Sequence, residues 1–573
     1  MKQNLCEVTT RDELADFLAI SRRSLNYVLY EKKIENYYIT FEIPKKNGET
    51  RKINAPSGEL KAIQKILAEK LWIHQTYIWE KYGIKPNISH GFIKQKGIIT
   101  NAKIHRNKRF VLNIDLQNFF DSFHFGRVKG FFEKNRDFCL PREVAIVIAQ
   151  LTCYKGCLPQ GAPSSPIITN LICQILDNRL LKWAKKYKLD YTRYADDLTF
   201  STNDKNFVEV ENEFLGHIQR EIEKAGFKIN EKKTRFLYKD SQQKVTGLVV
   251  NQKINVSQTY YRTTKAMAHS LYTKGEFMIG DQPGTIAQLE GRFAFINQIT
   301  EFNNELDGEK HDFRHLSGRE KEFKRFLFYK YFYGSSTPVI VTEGKTDIIY
   351  LKAALKALYE DYPHLISKSN NGEYIFKISF LKRTGKEKPG KTNRLEHFLG
   401  IVKDGADTMK NIYTCFSGAK GREKTCFEYF LGLGIPQKMP VILLFDNEFD
   451  SKHPLGNFLN SNQFSFSKDQ INDMKQELYL RPLLNAKLFL LTIPLEPETE
   501  KAEIENLFSK ETLEHEINGK KFTLKSNFDT EKYYGKNIFS KYVEKNFENI
   551  DFSGFKPLLD KIDLIVKEAD TLL

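Results

Sequence analysis

Long apolar runs are missing from this sequence. No 18 consecutive residues are apolar, so no segment reads as a membrane-spanning helix. The opening Met-Lys-Gln-Asn-Leu runs into charged residues without the apolar core of a signal peptide. Cysteine is scarce and odd in number, seven in 573 residues, which excludes a disulfide scaffold. Cys153 and Cys157 lie four apart, with no second close pair to complete a zinc site; Cys415 and Cys426 are isolated from them. Free buried thiols in a reducing, intracellular setting are expected. With 18 Pro and 33 Gly beside 41% hydrophobic residues, the chain is too lean in breakers to be disordered or fibrous. It is also too long for one core, so two to four domains are expected. What it has in excess is positive charge, formally +16, which favours a polyanionic partner. Its 44 Phe and 27 Tyr add surfaces on which bases can stack, although most must be core.

The stretch Tyr191–Phe200, YTRYADDLTF, sets two adjacent carboxylates in an apolar and aromatic segment. Its alternation reads as two short strands with Asp196 and Asp197 in the turn between them. Two like charges side by side are costly to bury unless they share a divalent cation. An exposed hairpin turn is the plain alternative, and upstream residues argue against it. RFVLNIDLQNFF (109–120) reads as a buried strand ending at Asp115, followed by Phe119-Phe120. Three oxygen ligands, Asp115, Asp196 and Asp197, suit two octahedral Mg²⁺ ions. Two-metal nucleotidyl transfer uses one ion to activate a primer hydroxyl and the other to hold the triphosphate.

Other segments fit around that centre. Thr9/Thr10 before DELADFLAI and the stretch 21–30 read as two capped helices. YYITFEIPKKNGETRKINAP reads as a hairpin about Asn47-Gly48, with Lys45, Lys46, Arg51 and Lys52 clustered on it. Such a basic hairpin could hold a triphosphate or be merely solvated. A helix is expected over roughly 60–73, and another basic patch at 101–110. GCLPQGAPSSPIITN (156–170) is a shaped loop leading into a helix over 167–183, its small residues allowing close backbone approach. AGFKINEKKTRFL (225–237) ends a helix at Gly226 and puts Lys232 and Lys233 in a loop, where one could face pyrophosphate.

This set resembles the fingers and palm of a reverse transcriptase: Asp115 with Phe119-Phe120, the Gln160–Pro166 loop, Tyr194-Ala195-Asp196-Asp197, Gly226 and Lys233. The resemblance implies that Phe120 is the steric gate against a ribose 2′-OH, and that Lys45 or Lys46, Arg51, Gln160 and Lys233 contact the incoming dNTP. Asn101-Ala102-Lys103-Ile104-His105 is similar to the N-A-x-x-H element of bacterial retron enzymes, and Val245-Thr246-Gly247 to their V-T-G element. By resemblance, Asn101, His105, Val245, Thr246 and Gly247 take part in recognising the cognate structured RNA. Retron enzymes start from an internal 2′-OH of a noncoding RNA and make a branched RNA–DNA hybrid, msDNA. AQLEGRFAFINQI (287–299) resembles a thumb.

After a charged connector, whose aromatic run FLFYKYFYG (326–334) is expected to be packed rather than free, PVIVTEGKTDIIYLKAAL (338–355) reads as strand, turn and helix. PVILLFDNEFD (440–450) is a second apolar run ending in Asp446, Glu448 and Asp450; NAKLFLLTIP (485–494) and EIENLF (503–508), with Glu503 and Glu505, follow. Carboxylates at the ends of such strands lie where open α/β sheets place their chemistry. These residues resemble a Toprim domain of the OLD-nuclease kind. Glu343 would be its glutamate and Asp446 the first acid of its D-x-D; Glu448 or Asp450 would complete the pair, with Glu503/Glu505 as a later acidic element. GKNIFSKYV (535–543) is similar to the tail of such nucleases, without assigning a role to Lys536 or Lys541.

The expected fold is multidomain α+β. It comprises a helical lead-in (1–40), fingers and palm (41–250), thumb (251–320), connector (321–337) and a Toprim-like α/β domain (338–573). The expected activity is RNA-directed DNA synthesis by 2′-OH priming, coupled to a metal-dependent nuclease acting in antiphage defence. Alternatives are a non-retron prokaryotic reverse transcriptase and a Toprim half that serves only assembly. Two Mg²⁺ at the polymerase centre, one or two at the other, dNTPs, the cognate RNA, msDNA and an RNA or DNA substrate for the nuclease are implied. No membrane partner is expected, the setting is the bacterial cytoplasm, and an oligomer bridged by nucleic acid is compatible with the sequence.

Overall fold

The computed structural model describes residues 5–44, 48, 50–382, 393–402, 407–417, 424–460, 467, 469–472, 479–480, 486–495, 499–525 and 527–569. Lys45 and Lys46 lie outside the described residues. The chain divides into two compact units, Met1–Gln258 and Thr259–Leu573. The segments expected as thumb and connector therefore belong, from Thr259 on, to the same unit as 338–573. Among the described residues no helix is long and apolar enough to cross a membrane.

In the first unit, Thr10 and Ser21 cap the helices Arg11–Phe17 and Arg22–Asn26 by accepting from the amides of Glu13 and Ser24. Strands β1 (Tyr38–Pro44) and β2 (Thr50–Pro56) form an antiparallel hairpin. The helix after it runs over Gly58–Lys81, a full two turns beyond the expected end. A four-stranded antiparallel sheet follows, built from β3 (Phe110–Asp115), β4 (Asp190–Tyr194), β5 (Asp197–Thr202) and β6 (Arg235–Tyr238), in the order β4-β5-β3-β6. Helices Ser165–Lys186 and Phe207–Lys224 bury their apolar faces in one core with it. Tyr191 and Phe200, directly opposite on β4 and β5, stack at 4.6 Å. That pair fixes a register in which a one-residue slip would turn both rings out of the core.

One polar device crosses this core. Arg193 is fully buried, and its Nε and Nη2 donate to the two oxygens of Asp177 at 2.9 and 2.8 Å. Tyr191 donates its hydroxyl to the same carboxylate at 2.9 Å. Burial disfavours the guanidinium charge, and Asp177 more than restores it. Asp177→Ala leaves a buried cation without its partner and is expected to cost about 3–5 kcal/mol. Hydrogen exchange of the β4 and β5 amides should then speed up on the order of 100-fold; exchange within about threefold of wild type would contradict this role.

The second unit is organised about an aromatic hub. The helix Gly318–Phe328 and its continuation Tyr329–Tyr333 bury Phe323, Phe326, Phe328, Phe332 and Tyr333. Phe293 of the helix Ile286–Asp307 stacks on Phe323 at 5.4 Å, and Tyr333 on Phe430 at 4.8 Å. The expected connector is thus core. Its charged residues occupy one face of a helix whose other face is aromatic, and the run 326–334, expected to be packed, is part of that buried face.

Beside the hub lies a five-stranded sheet in the order Ser379–Phe380, Val339–Val341, Val441–Phe445, Leu488–Thr492, Tyr479–Leu480. All pairings are parallel except the last. Val441, Leu443 and Phe445 pack into one core, and Ile442 and Leu444 into another on the opposite face. Burial on both faces is why these strands read as unbroken apolar runs. The helices Lys345–Ala357, Lys536–Asn546 and Lys556–Glu568 cover the second face.

Candidate active sites

In the first unit the register does the positioning. Asp197 opens β5 and stands directly opposite both Tyr194 on β4 and Asp115 on β3. The turn is Ala195-Asp196, one residue earlier than a turn made of both aspartates. Ala195 takes φ +56°, a conformation that costs an L residue on the order of 1 kcal/mol. Gly91 is what lets the turn be covered: a Cβ there would stand 2.6 Å from the Ala195 nitrogen. The Asp196 carbonyl accepts from the Leu116 amide at 3.0 Å, tying the turn to the end of β3.

Three carboxylates meet here. Burial raises the pKa of Asp196, with Asp115 adding to it and Lys233 and Arg51 opposing. Burial, then Asp196 and Asp115, push Asp197 up to about 7. Asp115 accepts from Asn230 Nδ2 at 2.9 Å and pairs with Lys233 Nζ at 3.0 Å. As the side chains stand, no three His, Cys, Asp or Glu groups among the described residues form a ligating cage. Lys233, largely exposed, acts as the counter-charge on Asp115. Mutually repelling buried carboxylates are a donor set that fits a hard divalent cation such as Mg²⁺.

The sign of this effect gives a test. A carboxyl whose folded pKa is raised adds stability below its ordinary pKa and loses it as pH rises through about 7. Without metal, Asp197 is expected to cost about 2–3 kcal/mol between pH 5 and pH 8, and Mg²⁺ should restore stability at pH 8. Melting curves in EDTA check this: Asp197→Asn should remove that part of the pH dependence, and an unchanged slope contradicts it.

Around the carboxylates, Gln160 accepts through its carbonyl from the Asn54 amide of β2 at 2.9 Å. Gly161, at φ +109°, lies so close to Ile53 that a Cβ would stand 2.8 Å from its Cγ2. The loop is therefore clamped onto the β1–β2 hairpin that carries Arg51. Phe120 is half-buried beside the Asp115 strand, edge-on to the buried Phe119 at 5.5 Å.

The expected RNA contacts need correction. Asn101 and His105 are fully buried, which leaves them no surface to offer a nucleic acid. His105 bridges Ser201 on β5 and Thr192 on β4, both at 2.7 Å, and Asn101 accepts from the Thr192 hydroxyl at 2.6 Å. Burial lowers the His105 pKa to about 3, so the ring is neutral. These two residues brace the β4–β5 hairpin from inside. Val245 is also buried, while Thr246 and Gly247 form a two-residue turn with φ +45° and +85°. Thr246 and Gly247 alone of the five present themselves at the surface.

In the second unit Glu343 and Asp446 end adjacent parallel strands. Glu343 Oε1 accepts from the Asp446 amide at 3.1 Å, and Asp446 Oδ1 from the Ile504 amide at 3.1 Å. Burial, then Glu343, Asp347 and Glu505, raise the Asp446 pKa well above the carboxylate range. Glu505 is fully buried and raised by burial. Lys536 Nζ binds Glu503 at 2.9 Å and Glu505 at 3.0 Å, and these carboxylates hold it charged despite burial.

Asp347 is a member that sequence reasoning missed, and Lys536 one that it named without a role. The Glu343/Asp347 spacing of four was a signal, but Asp347 also caps its own helix by accepting from the Gly344 amide at 2.7 Å. Glu448 and Asp450 are not drawn in: Glu448 pairs with His453 at 2.6 Å, and Asp450 is exposed and caps a turn at Lys452.

Comparison with known proteins agrees with the first unit. A reverse transcriptase (RNA-dependent DNA polymerase) family model matches residues 43–250. The chain is 38% identical to the retron Ec86 reverse transcriptase of Escherichia coli over 256 residues, covering 44% of this chain and 75% of that protein. It is 34% identical to the retron Mx162 reverse transcriptase of Myxococcus xanthus over 323 residues, 51% of this chain and 64% of that one, just under two thirds of its length. The retron Ec73 reverse transcriptase of Escherichia coli is 32% identical over 275 residues, 45% and 82% of the two chains. Among solved structures, apo telomerase from Candida tropicalis is similar at a TM-score of 0.31 and 12% identity, over 51% of this chain and 60% of that one, and carries no part of the assignment.

Proposed function

The chain belongs to the retron reverse transcriptases, and from that membership we propose that it is an RNA-directed DNA polymerase that makes msDNA from a cognate structured RNA. The observation that carries the reading is the register that sets Asp115 and Asp197 opposite each other with Asp196 in the adjoining turn. Asp115, Asp196 and Asp197 would hold two Mg²⁺, which when bound lower the pKa of the priming hydroxyl and neutralise the departing pyrophosphate. Lys233, paired with Asp115 here, would be released to meet phosphate oxygens if Asp115 held a cation. Arg51, on the hairpin clamped by Gln160 and Gly161, adds positive charge towards the triphosphate. Phe120 closes the sugar side and discriminates against a 2′-OH by bulk. Thr246 and Gly247 offer a surface turn to the RNA, tied to the helix Ile98–Ile104 by the Thr246 hydroxyl, which donates to the Ile98 carbonyl at 3.4 Å. The test is extension of a self-primed structured RNA by the full chain. DNA product from dNTPs is expected, with Phe120→Ala gaining ribonucleotide incorporation at least about tenfold; ribonucleotide use equal to dNTP use by wild type would sink the reading.

The second unit supports a further reading as a Toprim-like, metal-dependent nuclease. Glu343, Asp446, Asp347 and Glu505 crowd the carboxyl ends of parallel strands, where a divalent cation would relieve their repulsion. Lys536 supplies the positive charge for a scissile phosphate. We place this activity under the restraint of the RNA–DNA product and its release in antiphage defence.

A further inference from the structure

Behind the catalytic hairpin the first unit holds a pocket that polymerase chemistry leaves unused. It opens between the helices Gly58–Lys81 and Ser165–Lys186 and has a volume of about 90 Å³, several times the roughly 10–15 Å³ that admits one water. Trp72, Gln75 and Trp79 line one wall at helical spacing, and Asn170, Gln174 and Asn178 line the other. The two indoles meet at right angles, 5.7 Å apart, and make an aromatic corner. Gln75 is 4% exposed, and its Nε2 has no hydrogen-bond partner. A buried amide left unpaired is costly, and a ligand acceptor would satisfy it. Lys85 lines the pocket, and Lys94 Nζ stands 5.8 Å from the Trp72 ring.

An aromatic corner, amides that donate and accept, and cations at the edge match one ligand chemistry: a planar heterocycle with hydrogen-bonding edges, attached to a phosphate. We propose that this pocket binds a nucleobase, apart from the site of the incoming nucleotide. The base can come from a free nucleotide or from an unpaired residue of the bound RNA. The pocket wall also reaches the catalytic turn. Arg193 Nη1 donates to Asn170 Oδ1 at 3.1 Å and to the Ala195 carbonyl at 3.3 Å, and Asn170 Nδ2 donates to the Gly91 carbonyl at 2.9 Å. An occupant contacting Asn170 is thus two hydrogen bonds, through Arg193, from the residue before Asp196.

Two of the three tryptophans in the chain line this pocket, so intrinsic fluorescence reads it directly. The full chain is titrated in EDTA with AMP, GMP, CMP and UMP, and separately with single-stranded and fully duplex RNA. Binding here requires no DNA synthesis, so a chain without polymerase activity could still quench, and the two readings fail separately. Saturable quenching by a mononucleotide identifies free nucleotide as the source; quenching by single-stranded RNA alone identifies an extruded base. Gln75→Met, which removes the unpaired amide at similar volume, should weaken binding about tenfold without lowering the melting temperature, and Trp79→Phe should retain it. Absence of quenching by every probe, or wild-type affinity in Gln75→Met and Trp79→Ala together, overturns the proposal.

Discussion

Asp196→Asn combined with Asp197→Asn is expected to reduce RNA-templated DNA synthesis by on the order of 10³-fold or more while leaving RNA affinity within about twofold. The two substitutions remove negative charge where cations would bind, and leave untouched the basic surface that supplies most of the affinity for a polyanion. Asparagine keeps the size and hydrogen-bonding capacity of the side chains, so the turn and its Leu116 bond persist. The variant should also be more stable than wild type in EDTA, because burial raises both carboxyls and each opposes the charge of its neighbour. Loss of synthesis together with loss of stability would mean a folding defect. Loss of synthesis with gained metal-free stability assigns the residues to the metals. The measurement is incorporation of labelled dNTP, beside filter binding of the same RNA and a melting curve.

Glu343→Gln and Asp446→Asn are expected each to cut metal-dependent cleavage of RNA or DNA by on the order of 10³-fold, with DNA synthesis unchanged within about twofold. Both replacements preserve what the backbone uses. The amide oxygen of a glutamine in place of Glu343 can still accept from the Asp446 backbone N–H, and that of an asparagine in place of Asp446 from the Ile504 backbone N–H. Only charge is lost. Glu448→Gln separates this account from a D-x-D-like pair. Glu448 is held by His453, with Lys501 at 3.7 Å, so its loss should cost less than about tenfold. A Glu448 effect as large as that of Asp446 would show that the loop rearranges around a metal. Retained cleavage in both Glu343→Gln and Asp446→Asn would leave the second unit an assembly module.

The hairpin that carries Asp196 and Asp197 is legible in the sequence because its parts are local and its pattern is strict. Tyr194 to Asp197 is one hairpin, and the Tyr191–Phe200 stack that fixes its register lies within the same ten residues. Asn101 and His105 mislead because they are placed at the RNA by the resemblance of a short motif, and a motif match does not show which way its side chains point. Their partners Thr192 and Ser201 are about 90 residues away. The role of Lys536 is illegible for the same reason, since Glu503 and Glu505 reach it only after the second unit has folded. The division at 258/259 is hidden by composition: the charged residues of 301–337 suggest a linker, whereas Phe323, Phe326 and Phe328 make it a hub. In the parallel sheet, strands buried on both faces can be placed from their apolar runs alone.

The most direct test is the nucleic acid that copurifies with the chain when it is expressed together with the DNA flanking its coding region. Sequencing with and without debranching should find, for the wild type, a discrete RNA–DNA hybrid joined through a 2′–5′ bond, and for Asp196→Asn with Asp197→Asn the RNA alone. The same hybrid recovered from both proteins, or RNA alone from both, would contradict DNA synthesis at these carboxylates.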